Sequence, residues 1–356
     1  MKFLMAGGGT GGHVIPALAV ARELKKRGHE ALFVGTEAGL EAKLVPDAGF
    51  PIEFISIGGL NRVGAARMAR TLVELPLATL GVAFSLGRWR PDAVFGMGGY
   101  AAGPVMMAAW LRRIPLILME PNAVPGFTNR KMAKRVAKAL VNFEETAKYF
   151  PPGRAEVTGV PVRPEFFDLA PKPREKTVTV LITGGSRGSR TLNNAARESW
   201  PLFRNADFPV RLLHQTGPAA HGELARDFAE SGLEGEVVPF IEAMPAAFAA
   251  ADLVVCRSGA GAVAEIAAAG KPAVLVPFPF AADDHQTRNA ELLARAGAAR
   301  MVPDVECSGR RLFEEVRELA CAPAALESLG KAARRFARPG AAERAAAILE
   351  ELGGAA

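Results

Sequence analysis

Apolar residues fall along this chain in short dense runs, separated by longer stretches with helical spacing. Phe3–Ala6 is one such run, and Ala31–Val34 is the next. Between them, Ile15 to Arg27 carries apolar residues three and four apart and stops at Gly28, which predicts a helix. Ala93–Phe95, Leu116–Met119 and Ala139–Val141 continue the series, each bounded by turn or charged residues. Strands that need no polar alternation are buried on both faces. The pattern therefore predicts a parallel sheet with helices on either side.

The rhythm pauses between Val160 and Lys176, where Pro161, Pro164, Pro171 and Pro173 mark a linker. It then restarts with an apolar strand at Val178–Ile182, a glycine cluster and a helix from about Arg190. Further strands are expected at Val210–His214, Glu236–Pro239, Leu253–Val255 and Ala273–Val276. Two doubly wound α/β domains joined near residue 163 are the economical reading, 1–163 and 164–340. A last helical pattern, Ala341–Leu352, follows Pro339-Gly340, and the segment 341–356 could pack back on the first domain.

Composition agrees with two packed cores. Hydrophobic residues make up 49% and charged residues 22%, with aromatics at only 7%, so much of the apolar content is alanine in helices. Cys256, Cys307 and Cys321 are few and widely spaced, which suits small packed residues in a reducing compartment rather than a disulfide framework. The opening Met1–Ala6 is too short for the apolar core of an export signal. The longest membrane-like stretch, Leu72–Leu86, contains Glu74 and Pro76 and falls short of the ~18–20 apolar residues of a span.

Charge is unevenly placed. Residues 1–163 hold 21 Lys and Arg against 12 Asp and Glu, so the excess of +6 over the whole chain resides in the first half. That points to an anionic partner there, a membrane surface or a nucleic acid, with a merely solvated basic face as the alternative. No aromatic-interleaved basic motif is present, so nucleic acid is not expected. By contrast, Asn61–Trp89 mixes Arg62, Arg67, Arg70 and Arg88 with Leu72, Leu75, Leu80, Phe84 and Trp89. Trp110-Leu111-Arg112-Arg113 and the cations Arg130, Lys131, Lys134, Arg135 and Lys138 extend it. Apolar residues ringed by cations fit peripheral docking on anionic lipid, with core packing as the alternative use of the same apolar residues.

The candidate chemistry sits at strand ends. Phe3–Ala6 runs into Gly7-Gly8-Gly9-Thr10-Gly11-Gly12-His13, where glycines allow close backbone approach and a helix N-terminus offers N–H groups to an anion. Gly7, Gly9 and Gly12 satisfy the spacing of a dinucleotide site. Yet similar clusters recur at Gly96-Met97-Gly98-Gly99-Tyr100 and Gly184-Gly185-Ser186-Arg187-Gly188, more than one dinucleotide needs, and the ribose acid is at best Glu37. A P-loop is excluded because no Gly-Lys-Ser/Thr closes any of these turns. His13 suits a general base, a phosphate contact or a helix cap. In the second half, Leu253–Val255 leads into Cys256-Arg257-Ser258-Gly259-Ala260, with Ser258 as the expected N-cap. Glu265 then falls on an Ala-rich helix, where either it faces solvent or two adjacent ligand hydroxyls, such as a ribose diol, satisfy an otherwise costly carboxylate.

These blocks, with Glu120-Pro121-Asn122-Ala123, Gly159–Arg163, His214-Gln215-Thr216-Gly217 and Asp284–Ala290, occur in an order that resembles the MurG family of bacterial glycosyltransferases. The likeness runs from Met1 to about Gly340. It implies a GT-B fold, two Rossmann-like domains facing a central cleft, with acceptor and membrane handled by the first and donor by the second. It further implies transfer of N-acetylglucosamine from UDP-N-acetylglucosamine (UDP-GlcNAc) to the 4-hydroxyl of the N-acetylmuramoyl unit of lipid I, giving lipid II. The reaction is inverting, no cofactor or metal is expected, and the enzyme is expected at the cytoplasmic face of the cell membrane as a peripheral protein on anionic lipid.

Residue by residue, the resemblance puts the donor against Thr10, Gly11, Gly12, Arg163, Ser186, Ile241, Arg257, Ala260, Glu265, His285 and Gln286. The acceptor falls against Thr10, His13, Gly98, Gly99, Tyr100 and Asn122, with His13 the candidate base. The pair Asp283-Asp284, an obvious metal suspect, lies in a block matched to sugar contact. Three positions depart from the common pattern: Arg187 and His285, where Gln is frequent, and Val160, where Asn occurs.

Overall fold

A computed structural model of the chain describes residues 1–8, 11–57, 65–170, 172, 173 and 175–355, with 65–73 described by backbone alone. The chain divides into two compact units, Met1–Val162 with Gly340–Ala356, and Arg163–Pro339.

The first unit is built on seven strands, β1 (Lys2–Ala6), β2 (Glu30–Gly35), β3 (Ile52–Phe54), β4 (Ala93–Gly96), β5 (Leu116–Glu120), β6 (Lys138–Val141) and β7 (Ala155–Val157). They lie in the order β3-β2-β1-β4-β5-β6-β7, all parallel, with Phe3 opposite Ala31 and Ala93 in register. The helices are α1 (Gly11–Lys26), α2 (Glu41–Asp47), α3 (Ala65–Trp89), α4 (Ala102–Leu111) and α5 (Phe127–Met132). Because side chains alternate along a strand, β1 feeds two cores. Phe3 and Met5 pack with α1, and Leu4 and Ala6 pack with α3 and α4.

The second unit holds six parallel strands, β8 (Val178–Thr183), β9 (Val210–Gln215), β10 (Glu234–Val238), β11 (Leu253–Cys256), β12 (Ala273–Leu275) and β13 (Arg300–Met301), in the order β10-β9-β8-β11-β12-β13. Its helices are α6 (Arg190–Arg204), α7 (Pro218–Ser231), α8 (Met244–Ala250), α9 (Ala260–Ala269), α10 (His285–Arg295), α11 (Gly309–Ala320) and α12 (Pro323–Arg334). The last helix, α13 (Ala341–Gly353), follows a left-handed Gly340 and returns to the first unit. There Ala345, Ala346, Ile348 and Leu349 join the core of α1, and Glu350 accepts from Arg27 Nη1 at 2.8 Å and lies 2.6 Å from His29 Nε2.

Several sequence expectations need correction. Helix α1 starts at Gly11, four residues before the apolar periodicity, because the glycines that precede the pattern are themselves helical. Strand β10 begins at Glu234 and ends at Val238, since Pro239 has no N–H to give the ladder. Strands β3, β7 and β13 were not anticipated. Each is an edge strand, short and half-exposed, and so lacks the dense apolar run of the interior strands. Cys256 and Cys307 are buried, and burial pushes their thiols up to about 12 and about 11, but Cys321 is exposed at the end of α11.

Candidate active site

In each sheet the strand order reverses beside its first strand, between β1 and β4 and between β8 and β11. Ligands of open parallel sheets bind at the carboxyl ends of strands at such points. The glycine-rich turns of this chain leave those four strand ends.

In the first unit, Gly7 and Gly8 leave β1, and α1 begins at Gly11 and Gly12, whose N–H groups lack partners within the helix. Thr10 lies outside the described residues. His13 Nδ1 is 3.2 Å from the Gly8 carbonyl oxygen. A carbonyl only accepts, so Nδ1 carries the proton and a neutral ring holds its lone pair on Nε2. After β4, Gly98 and Gly99 both take left-handed φ, +81° and +80°. A Cβ on Gly99 would lie 3.2 Å from Gly8 O and 3.3 Å from His13 Nδ1, so this turn closes directly over the histidine. Tyr100 follows, half-buried, with its hydroxyl 3.2 Å from Thr36 Oγ1.

The turn after β5 is organised by Glu120. This buried carboxylate accepts from Asn122 N at 2.9 Å, Asn122 Nδ2 at 3.1 Å, Gly126 N at 3.1 Å and Asn129 Nδ2 at 2.8 Å. Burial raises its pKa, and the four hydrogen bonds pull against that. Asn122 is thereby held in place beside the same sheet end.

In the second unit, the turn after β8 is pressed against the turn after β9. A Cβ on Gly188 would meet Thr216 O, and one on Gly217 would meet Arg187 O, so both positions demand glycine. Gln215, buried, donates to Thr183 Oγ1 at 3.0 Å and Gly185 O at 2.9 Å, and accepts from Ile241 N at 2.8 Å. One amide thus ties the Gly185-Ser186 turn to the backbone at Ile241. Ser186 is exposed, four residues before α6, whose N-cap is Ser189.

Ser258 is not the N-cap of α9. That position is Gly259, and Ser258 Oγ donates to Gln286 O at 2.8 Å, linking α9 to α10. Ala260 opens the helix and is buried. The Arg257 side chain pairs with Asp304 and donates to Val276 O and Pro277 O, each at 3.1 Å, so its guanidinium is engaged within the unit. Glu265 is half-buried on α9. Desolvation raises its pKa to about 7, opposed by the charge of Arg163. The Arg163 guanidinium also stacks 5.2 Å from the Phe166 ring centroid.

Asp283 and Asp284 both adopt left-handed backbone, φ +53°, an arrangement Asp tolerates. Asp284 Oδ1 accepts from Thr287 Oγ1 at 2.6 Å, and the kink aims His285 and Gln286 into α10. Gln286 Oε1 accepts from Phe278 N at 3.0 Å, which orients its amide nitrogen away from that contact.

The structure thus gathers Gly11, Gly12, His13, Gly98, Gly99, Tyr100 and Asn122 at one sheet end of the first unit. It gathers Arg163, Ser186, Ile241, Arg257, Ala260, Glu265, His285 and Gln286 within the second. Sequence reasoning did not single out Thr36, Glu41, Gln215 or Asp304. Gln215 stood in a quoted block, but its three hydrogen bonds depend on strand neighbours that are far apart in sequence.

Residues 3–141 match the glycosyltransferase family 28 N-terminal domain and residues 179–345 the glycosyltransferase family 28 C-terminal domain. The chain is 63% identical over 353 residues to the UDP-N-acetylglucosamine–N-acetylmuramyl-(pentapeptide) pyrophosphoryl-undecaprenol N-acetylglucosamine transferase of Solibacter usitatus, covering 99% of this chain and 96% of that one. It is 41% identical to the Myxococcus xanthus protein of the same description, covering 99% and 93%. A crystal structure of Acinetobacter baumannii MurG superposes with a TM-score of 0.82 at 34% identity, covering 98% of this chain and 99% of that one. With its two parallel-sheet α/β domains, the chain has the GT-B fold and belongs to the MurG family within glycosyltransferase family 28.

Proposed function

We propose that this chain transfers N-acetylglucosamine from UDP-GlcNAc to the 4-hydroxyl of the N-acetylmuramoyl unit of lipid I, forming lipid II. The observation that carries the reading is the 63% identity, along essentially the full chain, to a transferase described by that donor and acceptor.

The residues supply a route. The acceptor O4 attacks C1 of the donor sugar, the O4–C1 bond forms as the C1–oxygen bond to the diphosphate breaks, and the anomeric centre inverts. His13 Nε2 takes the O4 proton, a contribution of about 10²–10⁴-fold. Its Nδ1–H is held by Gly8 O, which keeps the base lone pair on the other nitrogen. Glu265 accepts both ribose hydroxyls, the backbone at Ile241 and Arg257 borders the uracil, and His285 and Gln286 meet the sugar. Backbone N–H groups of Gly11, Gly12 and the Ser186 turn, with Arg163, take the charge of the departing diphosphate without a metal ion. Gly98, Gly99, Tyr100 and Asn122 seat the acceptor.

The lipid tail of the acceptor stays in the bilayer, and the first unit has a surface suited to it. Leu77, Leu80 and Phe84 are 65%, 66% and 75% exposed on α3, and Trp110 and Leu111 are exposed on α4. Arg135 lies 4.9 Å from the Trp110 ring and Lys131 5.5 Å from that of Phe127. Arg62 lies outside the described residues, as do the side chains of Arg67, Arg70 and Leu72. No helix among the described residues is long and apolar enough to cross a membrane. We place the enzyme peripherally, on anionic lipid at the cytoplasmic face.

The test is uridine diphosphate release in chelator with three acceptors: a short-chain lipid I analogue, a diacylglycerol and a small aglycone. Release driven by the lipid I analogue alone is expected. Equal release with either of the others contradicts the assignment.

A further inference from the structure

Glu41, at the start of α2, is fully buried and belongs to none of the roles above. Its carboxylate sits where three glycine positions converge. A Cβ on Gly8 or Gly39 would approach it to 2.2 or 2.1 Å, and one on Gly35 would come within 2.4 Å of the Glu41 Cγ. Its Oε1 accepts from Thr36 N and from Thr36 Oγ1, both at 2.9 Å. The same Thr36 oxygen is 3.2 Å from the Tyr100 hydroxyl. Thus a buried acid at the end of β2 touches the turn that carries His13 and, through one threonine, the turn after β4.

Proton counting fixes the direction of this chain. Thr36 Oγ1 has a single proton and gives it to Glu41, so it can only accept from Tyr100. The Tyr100 proton is then committed to Thr36, and the phenolic oxygen has only lone pairs left to offer.

We propose that Glu41 and Thr36 are positioning residues that fix Tyr100 as a hydrogen-bond acceptor for an O–H or N–H group of the sugar-peptide acceptor. The inference rests on the functional reading above, in which Tyr100 meets the acceptor. It adds a specificity: an acceptor lacking that one donor group gains nothing from Tyr100.

The experiment is steady-state kinetics of the full chain, with UDP-GlcNAc and a lipid I analogue varied separately, for Thr36→Val, Thr36→Ser, Tyr100→Phe and Thr36→Val/Tyr100→Phe. Thr36→Val keeps the shape and removes the hydroxyl. It is expected to raise acceptor KM roughly 5- to 10-fold, the value of one hydrogen bond, with donor KM unchanged. Thr36→Ser, which restores the hydroxyl, matches the unmodified protein. The double variant is no worse than Tyr100→Phe alone, because both remove the same contact. A fall in kcat with both KM values unchanged, a Thr36→Ser as impaired as Thr36→Val, or multiplying effects each overturn the proposal.

Lack of acceptor-dependent release by the unmodified protein refutes the functional reading instead, and a spectroscopic readout separates the two. The chain has only two tyrosines. In tyrosine-labelled protein, the Tyr100 ring carbon bearing the hydroxyl shifts in Thr36→Val and not in Thr36→Ser; no shift in Thr36→Val overturns the hydrogen-bond chain whatever the activity. If Thr36→Val does not fold, acceptor analogues lacking single hydroxyls serve against Tyr100→Phe. One analogue loses affinity with the unmodified protein and none further with the variant, whereas equal losses with both proteins contradict the assignment.

Discussion

Glu265 gives the sharpest pH prediction. Desolvation on α9 raises its pKa from an ordinary value of 4.5 to about 7, so near neutrality the side chain is balanced between acid and carboxylate. Only the carboxylate accepts from both hydroxyls of a ribose diol. At pH 8 most of the protein is competent, while at pH 6 roughly a tenth is, so the dissociation constant for UDP-GlcNAc rises roughly tenfold over that interval. Titration calorimetry with UDP-GlcNAc reads this directly, and the sugar nucleotide is preferred because the terminal phosphate of free UDP titrates near ~6. The stability sign runs the other way. A raised folded-state pKa means that the folded chain holds the proton more firmly than the unfolded chain. The ligand-free protein is therefore most stable, in this respect, below pH 4.5 and loses stability as pH rises to about 7. The shift corresponds to about 3 kcal/mol as an upper figure, since the side chain retains some solvent contact. Glu265→Gln should thus bind donor weakly at every pH between 6 and 8 and yet melt higher at pH 8. A dissociation constant flat from pH 6 to 8 in the unmodified protein refutes the reasoning.

Three further perturbations test the scaffold. Asp304→Asn leaves the part-buried Arg257 guanidinium without its anion and should cost about 1–3 kcal/mol in urea unfolding. Gly99→Ala forces a methyl group into a left-handed position against Gly8 O and His13, so kcat/KM should fall roughly tenfold or more with donor affinity unchanged in calorimetry. Removal of residues 341–356 uncovers the pocket filled by Ile348 and Leu349, worth about 3–6 kcal/mol together, and should leave a chain that is unfolded or melts far lower by circular dichroism.

The interior of each sheet was legible because strands buried on both faces are written as short apolar runs, as in Phe3–Ala6 and Leu253–Val255. The edges were not. Ile52–Phe54, Ala155–Val157 and Arg300–Met301 are half-exposed, and their identity as strands depends on a neighbour's ladder rather than on their own residues. The glycine turns and His13 stood out because close backbone approach has a signature in composition. Groups that act through one another did not. Glu41 stands between Leu40 and Ala42 with Glu37 and Lys43 close by, a mixed setting that gives no sign of burial, which follows only once Gly8, Gly35 and Gly39 surround it. Gln215 likewise gains its role from Gly185 on one neighbouring strand end and Ile241 beyond another. The mixed character of α3 resolved by face: Val82 and Leu86 enter the core, while Leu77, Leu80 and Phe84 point to solvent. Ser258 shows the opposite failure, a residue with an ideal cap identity whose hydroxyl was claimed by the neighbouring helix.

The measurement that bears most directly on the central claim is the structure of the product made by the purified chain from UDP-GlcNAc and a short-chain lipid I analogue in chelator, read by mass spectrometry and by the anomeric coupling in a proton spectrum. A β-1,4-linked N-acetylglucosaminyl–N-acetylmuramoyl unit on the lipid analogue is expected, formed with one equivalent of released uridine diphosphate. An α-linked product, transfer to another hydroxyl, or release without any disaccharide would contradict that claim.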